Sequence, residues 1–201
     1  MIDEIILVRH GETIHNVAGI VQGWNDSALS ERGERQVLAL ARRIAALRPD
    51  SIISSPLQRA LTTAQAIADQ TTLAIRTVDE LREMRFGTWE GQFFPDVRRN
   101  ESESYQRWIA DPDHPCPEGE SFSDVRRRME AAYRTISAGS GRVVVVSHGI
   151  ANRIAATVLL DAPLKVSGHL VQDNACISMF VRNGEKMVLK LWNDTSHCPP
   201  E

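Results

Sequence analysis

Two histidines of this sequence follow short apolar runs, and each is followed directly by glycine. His10 stands in "ILVRHG" and His148 in "VVVVSHG". Neutral imidazole is a good nucleophile and proton carrier because its ordinary pKa, about 6.5, lies near physiological pH. A single histidine after a strand is more often a hydrogen-bonded structural residue. Two histidines with the same neighbours favour a functional site at the ends of two strands.

Two arginines accompany these histidines. Arg9 directly precedes His10, and Arg59 stands in the first turn of a predicted helix in "SSPLQRALTTA". A guanidinium group donates paired N–H bonds to phosphoryl oxygens, and a helix N-terminus favours an anion. Arg59 alone would be interpreted as part of a surface ion pair. Beside Arg9 it predicts a site for a phosphoryl group.

The elements that position these residues alternate between strand and helix. Apolar runs predict buried strands, and apolar residues at helical spacing predict helices. Ser30 is the predicted N-cap of its helix, and Pro56 the predicted first helical residue of the next. The predicted strands span 4–8, 50–55, 73–78, 142–149, 175–182 and 186–193, and the predicted helices span 29–47, 56–70, 121–138 and 150–160. This order predicts an α/β sandwich with a mostly parallel sheet and, at the Asn183-Gly184 turn, an antiparallel edge strand.

The irregular segment 82–119 interrupts this alternation with tryptophan, phenylalanine and proline among polar residues. Such a composition is typical of a covering segment beside a site, although a surface excursion would look similar. We therefore interpret residues 1–201 as one domain whose segment 82–119 covers the site.

Composition narrows the class of protein. The 201 residues are 42% hydrophobic, with 23 Lys+Arg against 26 Asp+Glu, a balance that argues against nucleic-acid binding. The basic run 126–128 is interpreted as a solvated helix face. Three dispersed cysteines, no signal peptide and no apolar run of membrane-spanning length predict a soluble cytoplasmic protein that has no membrane partner. The six histidines show no metal-ligand spacing, so we expect neither a metal nor a cofactor.

Four segments together resemble the histidine phosphatase superfamily, in its phosphoglycerate-mutase-like branch. The similarity covers essentially the whole chain and is closest to the broad-specificity phosphatases. It implies a three-layer α/β/α sandwich and a phosphoryl-transfer site that needs no metal. The segments, in the order of that family, are "LVRHGET" with Asn16, "SSPLQRALTTA", "LREMRFGTWEG" and "VVSHG".

The resemblance implies a role for each matching residue. His10 is the nucleophile and Glu83 the proton donor for the leaving group. The phosphoryl oxygens are held by Arg9, Arg59, His148 and Asn16, with Gly149 beside them, and Gln22 and Gly23 belong to a loop that closes over the substrate. From the residues alone, Glu12 and Glu90 compete with Glu83 for the proton-donor role, and His15 lines the site or is structural.

Mutases and phosphatases share this set of residues. Phe86 stands where mutases usually carry a tyrosine, 87–91 has the "G-x-W-E-G" form of the phosphatases, and 108–121 resembles a phosphatase segment. These features favour a metal-independent phosphatase acting on small phosphorylated metabolites through phosphohistidine. A cofactor-dependent phosphoglycerate mutase is the alternative, and Arg98 and Arg99 could then grip a substrate carboxylate. A non-catalytic binding module is a lesser alternative, because no core residue is missing.

Overall fold

A computed structural model describes residues 2–199 of the chain. Six strands form one sheet in the order β3-β2-β4-β1-β5-β6. The strands are β1 (Ile2–Arg9), β2 (Ser51–Ser54), β3 (Ile75–Thr77), β4 (Gly141–Ser147), β5 (Ile177–Asn183) and β6 (Lys186–Asp194). The helices are α1 (Ile14–Ala18), α2 (Glu31–Ala46), α3 (Gln58–Thr71), α4 (Phe94–Asn100), α5 (Ser102–Ala110), α6 (Phe122–Ser137) and α7 (Gly149–Leu159).

Strands β3, β2, β4 and β1 are parallel, whereas β5 pairs antiparallel with both β1 and β6. The predicted mostly parallel sheet with an antiparallel edge is therefore confirmed. The hairpin β5–β6 supplies that edge, and its two-residue turn is Gly184–Glu185, one residue later than the predicted turn at Asn183-Gly184. Asn183 stays in β5 and pairs with Lys186, and Gly184 takes the positive φ (+62°) that the tight turn requires.

The central strands are buried on both faces, which is why they contain continuous apolar runs. Alternate residues of β1 point to opposite sides of the sheet. Ile5 and Leu7 join a core that contains α6 and α7, and Ile6 and Val8 join a second core that contains α2 and α3. Helices thus cover both faces, as in the predicted three-layer sandwich.

Helix α3 begins at Gln58, so the prediction that it starts at Pro56 is wrong. The carboxylate of Asp26 explains the later start. It accepts the backbone N–H of Gln58 at 2.9 Å and that of Arg59 at 3.4 Å. A distant acidic residue therefore satisfies the first helical donors, while Leu57 stays extended at the N-cap position. The predicted N-cap of α2 is confirmed, because the side chain of Ser30 accepts the N–H of Gly33 at 2.9 Å.

Segment 82–119 is more regular than the sequence suggested, because it contains α4 and α5 as well as a 3₁₀ turn at Gly87–Trp89. Its aromatic residues form a packed cluster. Trp89 and Trp108 meet edge to face at 5.6 Å, and Trp108 stacks on Phe122 of α6 at 4.8 Å. The cluster attaches the segment to α6 and α7 at the carboxyl edge of the parallel strands.

The basic run on α6 is only partly a solvated face. The side chain of Arg127 is 74% exposed, but that of Arg128 is only 15% exposed. Arg128 donates to the carbonyl oxygens of Arg82 at 2.6 Å and Glu83 at 2.9 Å, and it pairs with Glu120 at 2.8 Å. The predicted solvated face is wrong for Arg128, which instead fixes the backbone that carries Glu83.

Across residues 2–199, no helix is both long enough and apolar enough to span a membrane.

Candidate active site

The register of the sheet brings the two histidine motifs together. β1 and β4 are parallel neighbours with Arg9 opposite Ser147. His10 and His148 directly follow these two strands, and their ring centroids lie 5.2 Å apart. Both imidazoles are buried, at 3% and 0% exposure. The structure therefore places the two histidines side by side at the carboxyl edge of the sheet, where ligands of parallel sheets bind.

The hydrogen bonds of His10 define which ring nitrogen can react. Its Nδ1 lies 2.8 Å from the carbonyl oxygen of Gly11. A carbonyl oxygen only accepts, so Nδ1 carries the proton and Nε2 carries the free lone pair. The backbone of His10 is fixed as well, because its N–H donates to the Ser147 carbonyl at 3.1 Å. The ring is thus oriented for attack through Nε2.

Both histidines are held in the neutral form. Burial, together with the positive charges of Arg59 and Arg9, holds the pKa of His10 well below its usual range. Burial and Arg59 lower the pKa of His148 in the same direction. A neutral His10 keeps its lone pair throughout the physiological range, as a nucleophile requires.

This burial predicts a pH dependence of stability. Below about pH 6.5 the unfolded chain takes up protons on both histidines, whereas the folded chain, with its lowered pKa values, does not. The free energy of unfolding should then decrease as the pH is lowered, by up to about 1.4 kcal/mol per pH unit for each histidine. Urea unfolding in phosphate-free buffer from about pH 7 to about pH 5.5 measures the slope.

The variant His148→Gln supplies the control, because it removes one of the two buried imidazoles. Its slope over the same pH range should be clearly smaller than that of the wild type, although not zero, because the pKa values of His10 and His197 are lowered as well. A wild-type free energy of unfolding that stayed level over this range would contradict the prediction.

In each of the two arginines, a terminal guanidinium nitrogen is hydrogen-bonded to the protein, whereas Nε is not. Arg59, 2% exposed, donates to the Gly23 carbonyl at 2.7 Å and to Asp26 at 3.0 Å, and Arg9 donates to the carbonyl of Gln172. The buried Nε atoms of Arg9 and Arg59 have no hydrogen-bond partner within residues 2–199. Burial lowers the pKa of both guanidinium groups, and the Glu83 carboxylate opposes this shift. Such rigid forks with unused donors suit an anionic ligand.

The amide of Asn16 is oriented by its oxygen. Oδ1 accepts from the N–H of Thr13 at 3.1 Å, within a capping box at the start of α1, and from Asn174 at 3.1 Å. The amide nitrogen forms no hydrogen bond within the described part of the chain, and Asn16 lines the same cavity as His10. Its N–H₂ group is therefore available to a ligand.

The predicted loop residues Gln22 and Gly23 also line this cavity. Gln22 accepts from the Thr13 hydroxyl at 3.0 Å. Gly23 has φ +53°, and a Cβ there would overlap the carboxylate of Glu90. Only glycine therefore lets this backbone turn close to Glu90 while its carbonyl holds Arg59.

The three candidate carboxylates differ in their position relative to the cavity. Glu83 lines the cavity and accepts three backbone N–H bonds, from Met84 at 2.8 Å, Ala151 at 3.0 Å and Ile150 at 3.1 Å. The other two lie outside the cavity lining. Glu12 accepts from the Ser30 hydroxyl at 2.6 Å, and Glu90 accepts from the backbone N–H groups of Trp24 at 3.0 Å and Phe86 at 2.9 Å. The geometry thus favours Glu83 as the carboxyl group that meets a ligand.

The cavity has a volume of about 250 Å³. Seven predicted residues contribute to its lining: Arg9, His10, Asn16, Gln22, Gly23, Arg59 and Glu83. His15 also lines it, as considered from the sequence. His148 lies behind His10, and Gly149 opens α7 about 3.6 Å from the Arg9 guanidinium, measured from an added Cβ. Within residues 2–199, no group of three or more His, Cys, Asp or Glu side chains is placed to hold a metal ion.

Sequence reasoning missed the residues that orient this set. Asp26 pairs with Arg59 at 3.0 Å, the Ser55 hydroxyl lies 2.8 Å from Nε2 of His148, and Asn174 contacts Asn16. Asp26 stands three residues after Gly23, and its carboxylate was the one available signal. Its partner is remote in the sequence, so that signal could not be assigned.

Comparisons with known proteins agree with this geometry. The sequence matches the family model of the histidine phosphatase superfamily (branch 1) over residues 5–195. Phosphoserine phosphatase 1 of Hydrogenobacter thermophilus is 32% identical over 197 residues, covering 96% of this chain and 93% of that protein. The probable phosphoglycerate mutase GpmB of Erwinia tasmaniensis is 34% identical over 179 residues, covering 87% and 83%. The structure of a mycobacterial glucosyl-3-phosphoglycerate phosphatase with VO3 superposes with a TM-score of 0.88 at 29% identity, covering 95% and 98%.

The fold and the cation-lined cavity define an α/β enzyme that acts on phosphate groups. The chain belongs to the histidine phosphatase superfamily. The predicted family, the predicted fold and the prediction of a phosphoric monoester hydrolase are confirmed. The roles of the individual residues stay predictions.

Proposed function

We propose that this chain is a metal-independent phosphatase that hydrolyses small phosphorylated metabolites through a phosphohistidine on His10. The observation that carries the proposal is the buried, neutral His10, whose Nδ1 donates to Gly11 and whose Nε2 is free beside two arginines with unused donors. A phosphoryl transfer asks the protein chiefly for positioning and charge stabilisation. This set of side chains offers both.

In the first step, Nε2 of His10 attacks phosphorus, and the bond from phosphorus to the leaving oxygen breaks. Arg9 and Arg59 neutralise the three outer phosphoryl oxygens through their free N–H donors, and the Asn16 amide adds another. His148 lies behind the nucleophile and outside the cavity lining, with its Nε2 2.8 Å from the Ser55 hydroxyl, and it supports the ring of His10 from that side. The product of this step is a phosphohistidine and a leaving oxygen that needs a proton.

Glu83 supplies that proton to the leaving oxygen. The resulting carboxylate is stabilised by three backbone N–H donors, two of them at the start of α7. In the second step a water molecule gives a proton back to Glu83 and attacks phosphorus. The N–P bond breaks, its electron pair returns to Nε2, and inorganic phosphate leaves.

Segment 82–119 acts as the cover of the site in this proposal. Phe86 and Phe94 of that segment line the cavity and offer no hydroxyl or charge to a substrate carboxylate. Arg98 and Arg99 lie exposed on α4 and line neither this cavity nor its neighbour, and Arg99 pairs with Asp96 at 2.7 Å. These observations support hydrolysis over the mutase reaction, which must retain a bound substrate while the phosphoryl group returns.

The test is the product formed from 3-phosphoglycerate by chelator-treated enzyme. We expect glycerate and inorganic phosphate, little 2-phosphoglycerate, activity unchanged by the chelator, and inhibition by vanadate, which resembles the five-coordinate transition state. Isomerisation that is driven by a bisphosphoglycerate primer and outpaces phosphate release would favour the mutase alternative, named in the Erwinia relative. Loss of activity on chelation, restored by zinc or magnesium, would contradict the metal-independent mechanism.

A further inference from the structure

A second, larger cavity adjoins the phosphate cavity. Its volume is about 510 Å³, and Phe86 and Phe94 line both cavities. Its wall is mainly aromatic and aliphatic, with Tyr105, Trp108 and Phe122 completing the aromatic part. A cavity of this size suits a ligand much larger than glycerate or serine, since small-molecule sites typically span roughly 300–1,000 Å³. Because Phe86 and Phe94 line both cavities, the larger one lies next to the bound phosphate, on a side where a group esterified to it could be accommodated.

Two cations, Arg153 and Lys165, line this apolar wall, and Arg153 is the more buried of the two. Arg153 of α7 is half-buried and lines the larger cavity, yet it forms no hydrogen bond or ion pair within residues 2–199. Burial lowers its pKa, and the charge of Glu83 acts in the opposite direction. A partly desolvated guanidinium that lacks a partner costs free energy, which an anionic ligand group would offset.

The position of Arg153 relates it to the reacting atoms. It lies four residues after Gly149, the residue beside Arg9, which corresponds to about 6 Å along the axis of α7. The side chain of Arg153 lines the cavity that the leaving group would occupy, and it is near enough to Glu83 for that charge to act on it. Arg9 and Arg59 already serve the phosphoryl group, so Arg153 is available for a second anionic group.

We propose that Arg153 selects phosphomonoesters whose leaving alcohol has an apolar or aromatic body and carries a carboxylate. The body packs against the aromatic wall formed by Phe86, Phe94 and Trp108, and the planar carboxylate accepts paired N–H bonds from the guanidinium. This inference rests on the proposed phosphatase function and adds the class of substrate. Arg153 is a specificity residue and takes no part in the phosphoryl transfer itself.

Three benzyl phosphates test the proposal: the parent benzyl phosphate, its 4-carboxy derivative, and the methyl ester of that derivative. The carboxylate and its ester have similar shape and differ in charge. We expect the wild type to prefer the carboxylate over the ester by about tenfold in kcat/KM, chiefly through KM, as one charge-assisted interaction can provide. Arg153→Met, which keeps the aliphatic volume, should reduce this preference to about onefold, whereas Arg153→Lys should retain part of it.

The preference is the ratio of two kcat/KM values measured on the same variant. An indirect effect of Arg153 on Glu83 changes both values alike and therefore cancels from the ratio. Arg99→Met is the matched control, because it removes an exposed arginine outside both cavities and should leave the ratio unchanged. A wild type that hydrolyses all three esters without preference, or an unchanged preference in Arg153→Met, would overturn the proposal and leave the phosphatase function intact. A 1,4-bis(phosphonooxymethyl)benzene substrate preferred well above the carboxylate would overturn the assignment of a carboxylate. Hydrolysis of none of the esters would instead count against the proposed function.

Discussion

Replacement of His10 by alanine is expected to reduce turnover by about 10⁴-fold or more and to abolish the phosphoenzyme. The reason is positional, because the proposed nucleophile, the free Nε2 of His10, belongs to a ring that lines the same cavity as Arg9 and Arg59, whose Nε donors are unused. Brief incubation with labelled substrate, followed by a quench that avoids acid, should trap an acid-labile and alkali-stable phosphoprotein in the wild type. The variant should show no label.

His15→Ala is the matched control for this experiment. His15 lines the same cavity and its Nδ1 is buried without a hydrogen-bond partner in residues 2–199, so it is the alternative imidazole for phosphorylation. Because the ring of His15 lies on α1 rather than at a strand end, we expect its removal to leave the acid-labile label in place. A His10→Ala protein that retains a large part of wild-type turnover would contradict the mechanism.

Much of this site could be predicted because its signals are local. Apolar runs buried on both faces end at His10 and at His148, and parallel strands bring their carboxyl ends to one edge of a sheet. The 5.2 Å separation of the two rings follows from that rule and from the register of β1 with β4. The first turn of α3 presents Arg59 at the same edge because β2 lies next to β4.

Features that depend on contacts remote in sequence could not be predicted. Helix α3 begins at Gln58 and not at the predicted Pro56, because the carboxylate of Asp26 caps the helix from another segment. Arg128 is largely buried and not on the predicted solvated face, because the carbonyl groups of Arg82 and Glu83 lie beside it in the folded chain. Neither partner can be recognised from local spacing, since each contact is created by the packing of separate elements.

The aromatic wall of the larger cavity illustrates the same limit. Phe86 and Trp108 lie 22 residues apart in segment 82–119 and Phe122 opens α6, and the sequence shows only an irregular, aromatic-rich stretch. Arg153 stands in an ordinary helical pattern and has no local feature that distinguishes it. What distinguishes Arg153 is its surroundings, a largely apolar cavity that shares Phe86 and Phe94 with the phosphate site and gives the guanidinium no ion-pair partner within residues 2–199.

Replacement of Glu83 by glutamine is expected to lower kcat/KM by different factors for different substrates, depending on the leaving group. An alkoxide leaves only with a proton, so kcat/KM for alkyl phosphates should fall by about 10²–10⁴-fold. The p-nitrophenolate group needs little protonation, so kcat/KM for p-nitrophenyl phosphate should fall by less than about tenfold. Glutamine suits the test because its carbonyl oxygen can still accept the N–H groups of Met84 and Ala151. Steady-state kinetics with both kinds of substrate measure the effect.

Glu90→Gln is the matched control, because Glu90 is also a carboxylate near the site. It accepts the N–H groups of Trp24 and Phe86 and lies outside the cavity lining, so its loss should affect both kinds of substrate to a similar extent. A loop displaced by the loss of one hydrogen bond disturbs phosphate binding, which every substrate shares, whereas a missing proton donor affects only poor leaving groups. If Glu83→Gln lowered kcat/KM equally for alkyl and p-nitrophenyl phosphates, Glu83 would be a residue that positions α7 and Arg9, and the proton would have to come from elsewhere in the site.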